Sequence, residues 1–170
     1  AAVTRGATVT LIGANMEIAP PAGVHFVSVD TGEQMRQAVA THGRSADVII
    51  MAAAVADYAP AIAHDHKMKK DPSGVAVHLV PTPDILTGLV ADRRHGQLIV
   101  GFAAETGDAS ATALEHAQAK RLRKGCDFLV LNDVSSGKAF GTLDNEVVIL
   151  SDTTQVHVPL ADKLDVAHAI

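Results

Sequence analysis

A continuous apolar run near the middle of the chain limits its fold more than any other feature. The stretch from Ala46 to Lys70 reads ADVIIMAAAVADYAPAIAHDHKMKK, and its first half is typical of a strand with both faces buried in a parallel sheet. The run passes into alanines, which let a ligand approach the backbone, and stops at Asp57. Open α/β sheets bind ligands where such strands end. The stretch therefore predicts an α/β fold with a ligand site at the end of this strand.

Strand and helix patterns alternate along the rest of the chain. Further strands are predicted at 7–12, 24–29, 75–80, 97–106 and 127–132, followed by a hairpin at 146–151 and 154–160. Helices are predicted to end at Gly6, to run from Asp30 or Thr31 to Gly43, to start at Thr82, to run from Ala109 to Lys124 and to span 160–170. Residues 1–170 therefore form one α/β domain, a Rossmann-like doubly wound parallel sheet with a C-terminal antiparallel hairpin.

Three of these helices carry recognisable end signals. Glu33 or Gln34 completes a capping box at the first long helix, and Gly125 closes the longest one. Thr82 is predicted as an N-cap, with Pro83 at the first helical position, where its missing N–H costs nothing. The N–H groups at this helix start are then available to a ligand.

The sequence opens with the end of a helix rather than with the first strand of a doubly wound domain. Such a domain normally begins with a strand and a glycine-rich turn. We therefore expect the first strand and this turn to be absent from these residues.

Composition excludes several classes of protein. The chain is 48% hydrophobic, which rules out a disordered chain, and its net charge of −5 argues against a general nucleic-acid or membrane-surface binder. The single cysteine, Cys126, cannot form an internal disulfide, and a packing role fits it better than nucleophilic catalysis. The sequence has neither a signal-peptide pattern nor a transmembrane stretch. We expect a cytoplasmic protein.

Two groups of lysines are candidate phosphate ligands. Lys67, with the lysines at 69 and 70, follows the predicted ligand-binding strand and could close over phosphates, although a solvated loop is the simpler interpretation. Lys120 and Lys124 are four residues apart and share a helix face. Lysines in a last turn also complement the helix dipole whatever the function. The sequence leaves both interpretations open.

Phe102 and the histidines have equally ordinary explanations. Phe102 is a core residue unless its strand lies beside the one that ends at Asp57, in which case it could stack on a base. His64 and His66 lack a third ligand at a useful spacing, so the nine histidines do not predict a metal site.

Six strings in order resemble one family of ligases. They are AAAVADYAP, KMKK, PTPDIL, GFAAET, AKRLRKGCD and LNDV, and together they resemble the phosphopantothenoylcysteine synthetases, also called phosphopantothenate-cysteine ligases. These form the second half of bifunctional bacterial coenzyme A enzymes. The resemblance implies that CTP activates the carboxylate of 4'-phosphopantothenate as an acyl-cytidylate, releasing pyrophosphate, and that the amine of cysteine then displaces CMP. It also implies Mg²⁺, a homodimer and frequent fusion to a flavin-dependent decarboxylase.

The resemblance assigns roles to individual residues. Lys67 matches the catalytic lysine that reaches the triphosphate, and Ala53 and Ala54 match residues that border the acyl substrate. The implied CTP-binding residues are Met51, Ala52, Ala53, Asp57, Lys67, Pro83, Asp84, Ile85, Leu86, Phe102, Lys120 and Lys124. Metal ligands stay unknown. Family members carry an earlier asparagine and glycine-rich segment that these residues lack, so we expect nucleotide binding with impaired ligation.

Two other classes of function remain open. The alanine-rich strand end is similar to those of short-chain NAD(P)-dependent oxidoreductases, but the residue four beyond Tyr58, the only tyrosine, is Ile62 rather than lysine. The other alternative is a non-catalytic, dimeric nucleotide-binding domain, with the strand at 75–80 and the late hairpin as candidate subunit contacts.

Overall fold

The chain folds into alternating strands and helices. The computed structural model describes residues 1–62, 66–70, 72–133 and 143–170. Its strands are β1 (Val9–Ala14), β2 (Val24–Val29), β3 (Val48–Met51), β4 (Tyr58–Pro60), β5 (Leu79–Pro81), β6 (Leu98–Glu105), β7 (Phe128–Asp133), β8 (Asp144–Leu150) and β9 (Gln155–Asp162). Its α-helices are α1 (Gly32–Gly43), α2 (Ile85–Ala91), α3 (Ala113–Lys124) and α4 (Lys163–Ala169), and a 3-10 turn spans Val3–Arg5.

The main sheet has five strands in the order β3-β6-β7-β8-β9. Strands β3, β6 and β7 are parallel, whereas β7, β8 and β9 pair antiparallel. Strands β1 and β2 form a separate parallel pair. The predicted α/β fold and its C-terminal hairpin are confirmed.

Successive residues of the central strands face two different cores. Ile99 and Leu129 belong to a cluster that includes residues of α1, α2 and α3, whereas Val100 and Val130 pack with Val166 of α4. Alternation between two faces is what a strand buried on both sides requires. Helices therefore cover both faces of β6 and β7, as in a doubly wound fold. The prediction that β3 is buried on both faces is wrong, because β3 lies at the edge of the sheet and its Val48 and Ile50 are 47% and 53% exposed.

Several end signals in the sequence act as predicted. The Thr31 hydroxyl accepts a hydrogen bond from the Gln34 N–H, and the Gln34 side chain completes the capping box. Gly6 and Gly125 both adopt left-handed conformations at helix ends. Strand β2 has the predicted bounds. These features depend on neighbours in sequence, which is why they can be predicted locally.

The strand predicted at 75–80 is wrong in its bounds and its partners. Only Leu79–Pro81 is a strand, and it pairs antiparallel with Tyr58–Pro60 outside the main sheet. The side chains of Val75 and Val77 are both 57% exposed. An apolar alternation without a neighbouring strand has nothing to pair with and no face to bury, so it does not form a strand here.

Other boundaries also differ from prediction, among them that of the last helix, because β9 continues to Asp162 and α4 begins at Lys163 rather than at residue 160. Strand β1 begins at Val9 rather than at residue 7, and α3 begins after its cap at Thr112 rather than at Ala109. Gly43 is the last residue of α1, and Arg44 is a right-handed cap. A Cβ on Gly43 would lie 3.0 Å from Ile49 Cδ1, so Gly43 serves close packing rather than a left-handed turn.

Among the described residues, none of the helices combines the length and the apolar character needed to cross a bilayer.

We predict that Gly101→Ala destabilises the fold. A Cβ added at this central position of β6 would lie 2.7 Å from Leu86 Cδ2 and 3.1 Å from Leu129 Cδ1. Overpacking of this kind costs about 1–3 kcal/mol. Gly88→Ala is the matched control, because apart from its chain neighbours and the backbone of its own helix no heavy atom lies within 4 Å of the added Cβ, and alanine favours the helix. Urea unfolding followed by circular dichroism should show a loss for the first variant and none for the second; equal stability of all three proteins would contradict the packing argument.

Candidate functional site

The carboxyl ends of the parallel strands define the candidate site. Met51, the last residue of β3, is in register with Gly101, so β6 continues for four more residues and ends at Glu105. The alanines at 52–54 follow β3 and are exposed. Because β3 and β6 are parallel neighbours, their ends lie at the same edge of the sheet.

Thr82 connects the segment after β3 to the start of α2. Its backbone N–H donates to the Asp57 carbonyl oxygen at 2.9 Å, and its hydroxyl donates to the Ala56 carbonyl oxygen at 2.6 Å. Thr82 is therefore not the N-cap of α2, contrary to the prediction. Asp84 is the N-cap, because its Oδ1 accepts a hydrogen bond from the Thr87 N–H at 3.0 Å.

The two predicted lysines of α3 pair with carboxylates at this edge. Lys120 Nζ lies 2.7 Å from Glu105 Oε1, and Lys124 Nζ pairs with Asp84 Oδ2. Together with Thr82, these contacts join the end of β3, the start of α2, the last turns of α3 and the end of β6. The structure thus gathers elements that lie far apart in sequence around one strand edge.

Both ion pairs are partly shielded from water. The Lys120 and Glu105 side chains are 29% and 23% exposed, and the Lys124 side chain is 18% exposed. An ammonium group has three N–H donors, and each lysine uses one of them on its carboxylate. The remaining donors and the positive charge suit a phosphate, provided that the carboxylates tolerate a second anion nearby.

The apolar residues predicted at the site are mainly packing residues. Ile85 is only 7% exposed, and Met51 and Leu86 pack against the same core cluster. The buried Ile85 side chain leaves only its backbone for a ligand contact. Pro83 is exposed and precedes the N-cap of α2, so the prediction that it occupies the first helical position is wrong.

Phe102 lies beside the strand that leads to Asp57, because β3 and β6 are neighbours. Its ring, however, packs against the cluster of Val100, Val130, Val147 and Val166. Glu105 is three residues further along β6 and therefore faces the opposite side of the sheet. A stacking role for Phe102 stays a prediction.

Lys67 is not joined to the other site residues by any contact. It is exposed, and within the described ranges it makes no hydrogen bond or ion pair. Its predicted role in reaching a triphosphate is untested. His64 and the SSG loop at 135–137 lie outside the described residues. The residues that are described contain no group of three candidate metal ligands.

The loop between β6 and α3 is held by Asp108. Its Oδ1 accepts hydrogen bonds from the Ser110 hydroxyl at 2.6 Å and from the Ser110 and Ala111 N–H groups, and His116 contacts its Oδ2 at 3.0 Å. These interactions, with the Ser110 hydroxyl contributing most, hold the pKa of the Asp108 carboxyl well below its usual range. The Thr112 and Glu115 capping box then starts α3 and sets the direction of the helix that carries the lysines.

Cys126 has the packing role expected from the sequence. It is 2% exposed, and burial raises the pKa of its thiol. A buried thiol with a raised pKa is a poor nucleophile.

Sequence reasoning missed Glu105, Thr82 and Asp108 as site-organising residues. The carboxylate of Glu105 ends an apolar strand, which is a recognisable signal for the ligand edge. Its pairing with Lys120 crosses from a strand to a helix, and no local pattern encodes that contact. Thr82 was recognised only as a helix cap because its partner, Ala56, lies 26 residues away.

Comparisons with known proteins place the whole chain in one group. The model of the family described as "DNA/pantothenate metabolism flavoprotein C-terminal domain" matches residues 1–170. A relative from Mycobacterium tuberculosis, named coenzyme A biosynthesis bifunctional protein CoaBC, is 48% identical over 162 residues, which are 91% of this chain and 39% of the relative. The chain spans about two fifths of the length of the curated relatives it matches.

Solved structures show the same fold. A crystal structure of the C-terminal domain of coenzyme A biosynthesis bifunctional protein CoaBC has a TM-score of 0.79 and 32% identity, and the match covers 99% of this chain and 73% of that one. A Cab2 mutant in complex with phosphopantothenate-cysteine has a TM-score of 0.65 and 21% identity over 83% of this chain and 48% of that one. The second likeness concerns the fold alone.

We predict that Ser110→Ala raises the pKa of Asp108 toward the ordinary aspartate value, because it removes the strongest hydrogen bond to that carboxylate. A carboxyl whose pKa is lowered in the folded state stabilises the fold above its unfolded pKa of about 3.9, and this contribution disappears as pH falls through the folded pKa. Carboxyl-carbon NMR titration measures the shift directly. Ser28→Ala, an exposed change on β2, is the control and should leave the Asp108 titration unchanged; the same titration curve in the Ser110 variant would refute this assignment.

Proposed function

The chain belongs to the family of DNA/pantothenate metabolism flavoprotein C-terminal domains, as its sequence motifs predicted, and from this premise we propose that it is a ligase of coenzyme A biosynthesis. The reaction is the CTP-dependent joining of 4'-phosphopantothenate to cysteine. CTP converts the carboxylate into an acyl-cytidylate with release of pyrophosphate, and the cysteine amine then displaces CMP to give phosphopantothenoylcysteine.

One observation carries this proposal: two ammonium groups lie at the ligand edge of the sheet. Lys120 and Lys124 share a face of α3 and contact carboxylates from the end of β6 and the start of α2. Polyphosphates require such donors, because their charge must be neutralised before a nucleophile can attack.

The chemistry explains why a nucleotide is needed. A free carboxylate is a poor acyl donor until one of its oxygens becomes part of a good leaving group. In our proposal Lys120, Lys124 and Lys67 bind the phosphates, and Asp57 and the backbone at 83–86 bind the nucleoside. Mg²⁺ is the proposed counter-ion of the triphosphate, since it commonly binds through substrate phosphates and keeps several waters.

The acyl substrate is placed at the alanines that follow β3. Ala53 and Ala54 are exposed and small, so a ligand can lie against the backbone there.

We further propose that the enzyme acts in the cytoplasm as a homodimer, with the β4–β5 ribbon and the β8–β9 hairpin as contact surfaces. Leu79 of the ribbon and Leu160 of the hairpin expose 50% and 56% of their surface, which fits a role at an interface. In proteins of the relatives' length, a flavin-dependent decarboxylase would precede this ligase.

We predict that CTP, but not NADPH, stabilises this chain against heat. At a ligand concentration about 100 times the Kd, binding contributes about 2.7 kcal/mol, which for this size raises Tm by roughly 5–10 °C. Lys124→Gln should weaken CTP binding by about tenfold through loss of a charge-assisted contact.

The control for this thermal-shift series is Lys163→Gln at the start of α4, which should respond to CTP as the unmodified chain does. Stabilisation by NADPH alone would overturn the ligase proposal in favour of an oxidoreductase.

We predict that Lys67→Gln slows acyl-cytidylate formation by roughly a hundredfold, the usual effect of removing a charge that stabilises a transition state. The assay requires an enzyme of the relatives' length that carries this sequence, with labelled CTP and rapid quenching. Cysteine binding should change little. Lys163→Gln, at a lysine outside this segment, is the control; an unchanged rate in the Lys67 variant would remove Lys67 from the reaction.

A further inference from the structure

Glu105 is a negative charge in the middle of a proposed phosphate site. It ends β6, the strand between β3 and β7, and its Oε1 lies 2.7 Å from Lys120 Nζ. Within the part of the chain that the structure describes, Lys120 is the only hydrogen-bond partner of this carboxylate. The carboxylate neutralises Lys120 in the absence of a ligand, but its negative charge also opposes any anion that approaches the same lysine.

The neighbouring ion pair, Asp84 with Lys124, differs because its carboxylate has a second role. Asp84 contacts Lys124 but also caps α2 through the Thr87 N–H, so its position is explained by the helix. Glu105 has no such second role. With 23% of its side chain exposed, it is shielded enough for its charge to influence Lys120 and any anion nearby.

We propose that Glu105 is a positioning residue that competes with phosphate for Lys120 and so promotes release of pyrophosphate. This inference rests on the proposed function. With the nucleotide bound, Lys120 turns its ammonium group from Glu105 to the phosphates. After activation, pyrophosphate is held by fewer contacts than the intact nucleotide, and Glu105 recaptures Lys120. The carboxylate also repels the departing anion.

The Glu105→Gln substitution separates the effect of the negative charge from the effect of the contact with Lys120. A glutamine at 105 keeps the length of the side chain and an oxygen that accepts from Lys120, but it neither competes as an anion nor repels phosphate. If Glu105 only held Lys120 in place, Glu105→Gln would leave anion affinity unchanged and Glu105→Ala would weaken it. If Glu105 competes with phosphate, both variants bind pyrophosphate more tightly.

The test is isothermal titration of the chain with pyrophosphate. We expect Glu105→Gln and Glu105→Ala to lower the Kd for pyrophosphate by roughly three- to tenfold, the range of a partly shielded ion pair. Glu146→Gln, which removes an exposed carboxylate paired with His157 on the hairpin, should leave it within about twofold. Lys120→Gln should weaken binding. An unchanged or raised Kd in the two Glu105 variants overturns the proposal, as does equal binding by the Lys120 variant.

Failure of this inference can be told apart from failure of the proposed function. If CTP stabilises the chain through Lys124 while Glu105→Gln leaves pyrophosphate affinity unchanged, the proposed ligase function is supported and the proposed competition by Glu105 is wrong. If CTP has no effect but the Glu105 variants bind pyrophosphate more tightly, the anion site is supported and the proposed CTP-dependent ligase function is not. In an enzyme of the relatives' length, Glu105→Gln should also strengthen product inhibition by pyrophosphate by the same factor.

Discussion

Parallel pairing of β3 with β6 is the interaction on which the candidate site depends. Parallel strands end on the same side of a sheet, so residues about fifty positions apart in sequence become neighbours. Strand β6 is buried on both faces, with Ile99 facing one core and Val100 the other, whereas β3 buries Ile49 on one face and exposes Val48 and Ile50 on the other. Pairing of these apolar strands therefore fixes the positions of the polar residues that follow them.

At that edge, charge is balanced within the protein before any ligand arrives. Each lysine of α3 has a carboxylate partner from a different element. Leaving a partly buried ammonium unpaired would be costly, and the internal pairs avoid this. These ion pairs also limit how strongly an anion would bind at this edge. The anion would contact lysines whose charge is already partly neutralised.

The sequence predicted features that depend on near neighbours or on repeated patterns. The Thr31 capping box, the left-handed Gly125, strand β2 and the lysine pair of α3 belong to this group. It did not predict features decided by distant partners. The Thr82 hydroxyl donates to the distant Ala56 carbonyl oxygen rather than capping a helix. Of the alternating residues 75–80, only the last two belong to a strand, because only they pair with β4. Family membership could be predicted because the order of the motifs can be recognised without knowing the structure. Glu105 was overlooked because its role depends on a contact between β6 and α3, which only the structure shows.

The double use of Asp84 has a consequence for protein engineering. One carboxylate both fixes the first turn of α2 and neutralises Lys124. Position 84 is therefore a poor place at which to graft a different loop, since a graft that replaces Asp84 would disturb helix geometry and local charge together.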